Sequence, residues 1–319
     1  MQASATKNIE NDIEIIHLQN AYISAKIAVN IGNTLFSLVC NQEEILHFPF
    51  SLSDYKNNIK LAGNPFMHPW ANRLQGDFIT IEQQHYLFPK SQQQLLFRDD
   101  NKLPLHGLLL KSDKWKTIAL EQNEKESYHE AILTFSDANW LTIFPFRHTV
   151  KMTHLLRGNA ITISSTIIND EEKKMPISFG FHPYLKQAKN TTLTIPAKDI
   201  LELDELQLPT GKAFRKEDKF HFTEDKLLLG NNSLDDGFSQ LNYTDEQAIF
   251  SINNIDVCFD KHYPFAQIYA PNKADKPYVC IEPMTAPCNA LNTNACVLIE
   301  PNEQFTATFK IIVHPKSEN

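Results

Sequence analysis

Glycine is scarce in this chain, at nine of 319 residues, and no GxGxxG or GxxxxGK[ST] run occurs. Glycine-rich phosphate cradles of the nucleotide-binding kind are therefore not expected. Cysteine is sparse and odd in number: Cys40, Cys258, Cys280, Cys288 and Cys296. That set reads as reduced thiols in a cytoplasmic protein rather than as a disulfide framework. Cys280, Cys288 and Cys296 are evenly spaced by eight. Without a CxxC pair or paired histidines, that spacing reads as structural rather than metal-binding. Excess positive charge is also missing, since the formal net charge is −8 and the pI about 5.8. Broad attraction to nucleic acid is not expected, which leaves room only for a local basic pocket for a small anion. No apolar run reaches the roughly eighteen residues that a membrane span requires. The polar start, Met1–Asp12, shows neither the basic opening nor the apolar stretch of a secretory signal.

What is present is enough apolar residue, 42% of the chain, to bury a sizeable core. Its dominant period is two. Ala160–Ile168 reads AITISSTII, with Ile161, Ile163 and Ser165 on one face, and Arg147–Leu155 alternates similarly. Further β-like runs are Ile13–Leu18, Tyr22–Val29, Ala131–Phe135, Thr191–Ile195, Ile200–Leu208, Ala248–Ile252, Ile255–Phe259 and Phe305–Val313. They are rich in Val, Ile, Thr and Phe, which suit a pleated surface. Turn residues separate them, as at Asn169-Asp170, Pro209-Thr210-Gly211 and Asn253-Asn254. Helical signals are weak, at Ser53–Leu61 and in a possible single turn at Ala286–Leu291. There is no repeat, low-complexity tract or long linker. The pattern predicts an all-β chain, a large antiparallel β-sandwich with few short helices, forming a single domain over residues 1–319.

Four segments break the strand pattern. Gly63–Leu74 combines prolines, aromatics and Arg73, which either donates to sugar hydroxyls or ties down its own loop. Leu105-His106-Gly107-Leu108 carries a lone histidine, a residue type that is often structural. Ser178–Tyr184 sets His182 between aromatics and before a proline that disfavours helix. Aromatic faces fit the apolar face of a pyranose, and a histidine can move a proton near neutral pH. Val279–Pro287 places Glu282 at an otherwise apolar strand end. A carboxylate there must be ion-paired or belong to a site.

Together these segments resemble the aldose 1-epimerases, the galactose mutarotases and their relatives. Asn64–Leu74 looks like the family's P-x-x-N-R loop, and Leu105-His106-Gly107 like its L-H-G segment. Phe181-His182-Pro183-Tyr184 matches the F-H-P-Y form of its second histidine motif. Leu234-Asp235-Asp236-Gly237-Phe238 is similar to its D-x-x-F segment. Val279–Asn292, ending EPMTAPCNALN, looks like its E-P-x-T-A-P-x-N-A-L-N signature. Leu108 follows Gly107 where members often have a second glycine, and Asn302 stands where the last turn usually has one. The F-H-P-Y form points to the more divergent relatives.

The resemblance implies a galactose mutarotase-like sandwich with a sugar in an open cleft. It implies Glu282 as general base and His182 as general acid. Arg73, Asn72, His106 and an aspartate of the Asp235-Asp236 pair would bind and orient the sugar, Asp235 fitting the segment without gaps. The expected activity interconverts the α and β anomers of an aldose, with no metal or cofactor. An unperturbed glutamate titrates at about 4.3 and a histidine at about 6.5. Glu282 is thus expected to be a carboxylate at neutral pH, a nearby carboxylate to raise the histidine pKa, and the rate to show a limb near neutrality. The expected partner is a small sugar, free or phosphorylated, with no nucleic acid and no membrane, the protein being a monomer or weak homodimer. Lys60, Arg98, Lys102 and Lys186 flank the motifs and bear on a phosphorylated substrate. Other readings are a carbohydrate-binding protein that has lost catalysis, and a hydrolase or lyase on a similar scaffold. A hydrolase needs two carboxylates across the bond and leaves the histidine and arginine without a clear role.

Overall fold

Alternation builds the strands. In Ala160–Asn169, Ile161, Ile163, Ser165, Ile167 and Asn169 are buried while the intervening residues are less so, as a sheet with one face on a core requires. His148–Arg157 and Gln304–Val313 show the same alternation. The computed structural model describes residues 2–58, 60–187 and 191–315.

Two large antiparallel sheets dominate. The nine-stranded sheet runs Lys226–Leu228, Thr192–Thr194, Gln247–Ile252, Ile255–Asp260, Gln304–Val313, Ala160–Asn169, His148–Arg157, Glu126–Phe135, Lys116–Gln122. The eight-stranded sheet runs Pro209–Arg215, Ala197–Leu203, Leu234–Leu241, Phe265–Ala270, Tyr278–Met284, Gly180–Phe181, Phe66–Met67, with Tyr184–Lys186 also paired to Tyr278–Met284. A five-stranded sheet occupies the N-terminal part, from Ser4–Glu10 to Glu43–Glu44. One continuous apolar core draws on all three, from Ile16 through Phe181 and Ile268 to Phe309 and Val313. Phe181 of the eight-stranded sheet meets Phe309 of the nine-stranded one at 4.9 Å between ring centroids. Each such buried aromatic contributes about 1.5–3 kcal/mol of transfer free energy.

Three expectations shift at the edges of elements. The Ile200–Leu208 run leaves its strand at Leu203. Asp204 Oδ1 accepts from the Leu206 and Leu208 N–H groups, both at 2.9 Å, and turns the chain. The polar start forms a strand after all, Ser4–Glu10, paired in full with Ile13–Gln19. The weak Ser53–Leu61 signal becomes the short helix Leu52–Asn57, capped by Ser51 Oγ accepting from Asp54 N–H. Ile59, within that stretch, lies outside the described residues. Among the described residues no helix is long and apolar enough to cross a membrane.

The eight-stranded sheet sends Phe238, Ile268 and Ile281 into the core. Its other face carries a polar row set by register. Asp235 opposes Tyr269, Tyr269 opposes Cys280, and Gln267 opposes both Glu282 and Gly237. The functional site is built on that face.

Candidate active site

Glu282 stands on the face of its strand turned away from the core, yet it is only 1% exposed. His182 follows the short strand Gly180–Phe181, and its backbone N–H donates to Pro65 O at 3.1 Å. One hundred positions apart in sequence, their side chains meet: His182 Nε2 lies 3.2 Å from Glu282 Oε1. The imidazole is held from two sides. Tyr184 stacks on it with centroids 4.5 Å apart and planes 12° from parallel, and His106 stands perpendicular at 5.2 Å. The remaining Glu282 oxygen, Oε2, and His182 Nδ1 are buried without a hydrogen-bond partner.

Two loops complete the cleft. Asn72 and His106 both adopt left-handed backbone, φ 60° and 61°. They are tied to each other, since His106 N–H donates to Asn72 O at 2.9 Å and Asn72 N–H donates to His106 Nδ1 at 3.2 Å. Gly107 is required next to them. A Cβ there would fall 2.2 Å from His68 O, at φ +75°. Arg73 extends along the cleft, with Nε donating to Asp99 Oδ2 at 2.7 Å, Nη1 to Asn72 Oδ1 at 3.1 Å, and Nη2 lying 3.8 Å from Asp235 Oδ2. It is both a tie for its loop and a cation at the cleft. Asp235 Oδ1 accepts from Gln267 Nε2 at 2.7 Å.

Arg73, Asn72, His106, His182, Asp235 and Glu282 therefore line one cleft of about 290 Å3. Asp236 does not. It lies on the opposite face of its strand, buried and paired with Lys219 Nζ, because successive strand residues point to opposite sides. Cleft residues that the sequence reading did not single out are Phe97, Asp100, Gln267 and Tyr269, with Asp99 behind Arg73. Gln267 and Tyr269 were recoverable only through strand register, two residues apart and opposite Glu282 and Asp235.

Electrostatics depart from the expectation drawn from unperturbed values. Burial pushes the His182 pKa down to about 3. Burial, reinforced by Asp235, lifts Glu282 well above the usual carboxylate range, with Arg73 opposing. His106 is driven well down by burial and by the neighbouring His182 and Arg73. Burial also raises Asp235 against the pull of Arg73. For Arg73, burial works against the charge, but Asp235 and Asp99 outweigh it and raise its pKa. Desolvation thus wins over the attraction between His182 and Glu282. The pair favours its uncharged form, imidazole beside carboxylic acid.

Comparison with known proteins fits this geometry. Residues 14–311 match the family model described as Aldose 1-epimerase. The chain belongs to the aldose 1-epimerase family. Its fold is shared with a galactose mutarotase-like protein from Clostridium acetobutylicum, at a TM-score of 0.85 and 20% identity over 99% of each chain. The galactose 1-epimerase of Lactobacillus acidophilus NCFM superposes with a TM-score of 0.76, 17% identity, and 98% and 99% of the two chains covered. A curated relative in sequence is the uncharacterized protein YihR of Escherichia coli K12, 23% identical over 72% of each chain. The family's glycine in the last turn is replaced here by Asn302, which takes φ 62°, a conformation asparagine tolerates better than most.

Proposed function

We propose that this protein is an aldose 1-epimerase, an isomerase that interconverts the α and β anomers of an aldose in the His182–Glu282 cleft. The observation that carries the reading is the 3.2 Å contact between these two side chains, within a cleft lined also by Arg73, His106 and Asp235. Ring opening needs two simultaneous proton movements. One group takes the proton of the C1 hydroxyl while the other gives a proton to the ring oxygen, and the C1–ring oxygen bond breaks. The aldehyde end rotates about C1–C2, and closure on its other face returns both protons. With Glu282 as base and His182 as acid, the charged pair becomes the neutral pair on opening and reverts on closure. The proton count of the enzyme never changes. Both forms of the pair are therefore working states: the charged one acts on the closed ring, and the neutral one, which burial favours, accompanies the open chain. Acid/base assistance of this kind gives roughly 10²–10⁴-fold, and orientation by Arg73, Asn72 and His106 adds to it.

A 6-phosphorylated hexose is the less favoured substrate. Arg73 is the cation among the residues lining the cleft and is already compensated by Asp99 and Asp235. Arg98 is engaged by Asp77, and Asp100 adds negative charge. Exchange NMR on free and 6-phosphorylated aldoses tests the assignment. Faster anomer exchange on free aldoses is expected, with no limb in the rate near pH 6.5. An isolated histidine would give a limb near 6.5, whereas burial lowers His182 to about 3 and raises Glu282. No acceleration on any aldose would end the proposal, and a limb near neutrality would contradict the shared-proton mechanism.

A further inference from the structure

Leu61 and Phe97 line the His182–Glu282 cleft and also line a neighbouring groove of about 540 Å3. The groove is larger than the cleft, at about 290 Å3, and adjoins it at those two side chains. Its chemistry is mixed. Trp140, half-buried, stacks on Phe135 with centroids 5.1 Å apart and planes at 28°. Asn57, Asn58 and Gln94 bring amide groups, and Leu108 adds an apolar wall. Lys111 is not free to attract an anion, because its Nζ donates to the backbone carbonyls of Tyr55 and Asn58. It stiffens that wall instead. Asp113 and Lys56, both exposed, put one charge of each sign on the groove's lining.

An aromatic platform edged with amides is what a pyranose ring needs. Its C–H face packs on the ring, and its hydroxyls exchange hydrogen bonds with groups that both donate and accept. A purely apolar partner would leave the amides unpaired at a cost, and with Lys56 and Asp113 both on the lining the groove selects no net charge. We propose that the groove is a second sugar subsite and that the substrate is the reducing end of a disaccharide or longer oligosaccharide. The terminal ring opens in the cleft while the next ring lies against Trp140. This rests on the function proposed above and extends it to the part of the substrate that does not react.

The three tryptophans make the test direct. Trp70 and Trp115 are buried, and Trp140 is the partly exposed one. The full chain is titrated with glucose, galactose, maltose, cellobiose, lactose and melibiose, following tryptophan emission and, in parallel, anomer exchange by NMR. At least one disaccharide is expected to shift emission at concentrations where its monosaccharides do not, and to have the higher kcat/KM. Trp140→Ala should lower kcat/KM for that disaccharide relative to its monosaccharide by about two- to tenfold, the range of one aromatic contact. Gln94→Ala, at an exposed position, should move the ratio in the same direction without the folding risk. The subsite is overturned if no disaccharide moves the emission and neither variant changes the ratio. If a disaccharide moves Trp140 but no sugar is turned over, the subsite stands and the enzymatic reading falls. Turnover of monosaccharides without any disaccharide preference has the opposite meaning.

Discussion

Burial decides the protonation of Glu282 more than its contact with His182 does, and that has a consequence for stability. An unfolded glutamate releases its proton near pH 4.5, whereas Glu282 in the fold holds its proton well above that. Above pH 4.5 the native state therefore binds more protons than the unfolded state. Stability from this group then falls as pH rises, until the folded pKa is passed. Glu282→Gln removes the liability while removing the acid/base function. The melting temperature of the variant should gain on the parent's progressively as pH rises above about 4.5, while turnover drops about 10²–10⁴-fold. A difference in melting temperature that does not change with pH would contradict the raised pKa. At this scale much of the site was legible, because Arg73, His106, His182 and Glu282 each sit in a short distinctive segment. Asp99 and Gln267 were not, since each acts through a partner that only the folded register supplies. The choice between Asp235 and Asp236 was not legible either. One residue of shift changes the face, and both aspartates suit the same segment.

Among elements, the scarcity of glycine has a visible cost in the turns. Among the described residues twenty non-glycine positions have positive φ, and nine of these are asparagine. Hairpin turns at Asn11-Asp12, Asn41-Gln42, Glu82-Gln83 and Asp245-Glu246 need positive φ at both central residues. Gln and Glu are poorly suited to it. Gln83, at φ 69° between the strands Phe78–Ile81 and Gln84–Leu87, is the clearest case. Gln83→Gly should raise stability by up to about 1 kcal/mol, read as a higher urea midpoint with unchanged slope. A lower midpoint would show that glycine's added freedom in the unfolded chain outweighs the relieved strain. Strand reading succeeded where one face is solvated, as in Ala160–Asn169. It failed at Ser4–Glu10, exposed along most of its length, because a strand held by backbone bonds alone has no alternation to read. It read Val279–Pro287 as a strand end, and the strand Tyr278–Met284, buried on both faces, runs on through Glu282.

Across the whole molecule, buried histidines set the acid limit. Burial lowers His129 and His148 to about 4 and His182 to about 3, and drives His68, His106 and His154 well below 6.5. In the unfolded chain all of these titrate near 6.5, so below that pH the unfolded state binds more protons. Their contribution is complete above 6.5 and is lost as pH falls towards 3. The raised carboxyls, Glu282 and Asp235, oppose this but are fewer. We propose that residues 1–319 form a single domain, supported by the core that runs from Ile16 to Val313. Calorimetry should then show one transition whose temperature falls steeply from pH 6.5 to 4.5, and a level profile over that range would contradict the histidine account. The measurement closest to the central claim is a double-mutant cycle on anomer exchange, followed by NMR, with Glu282→Gln, His182→Asn and both together. Two groups passing one proton between them should fail as a unit, the double variant being no slower than the worse single one. Losses that multiply across the two substitutions would contradict the shared-proton mechanism.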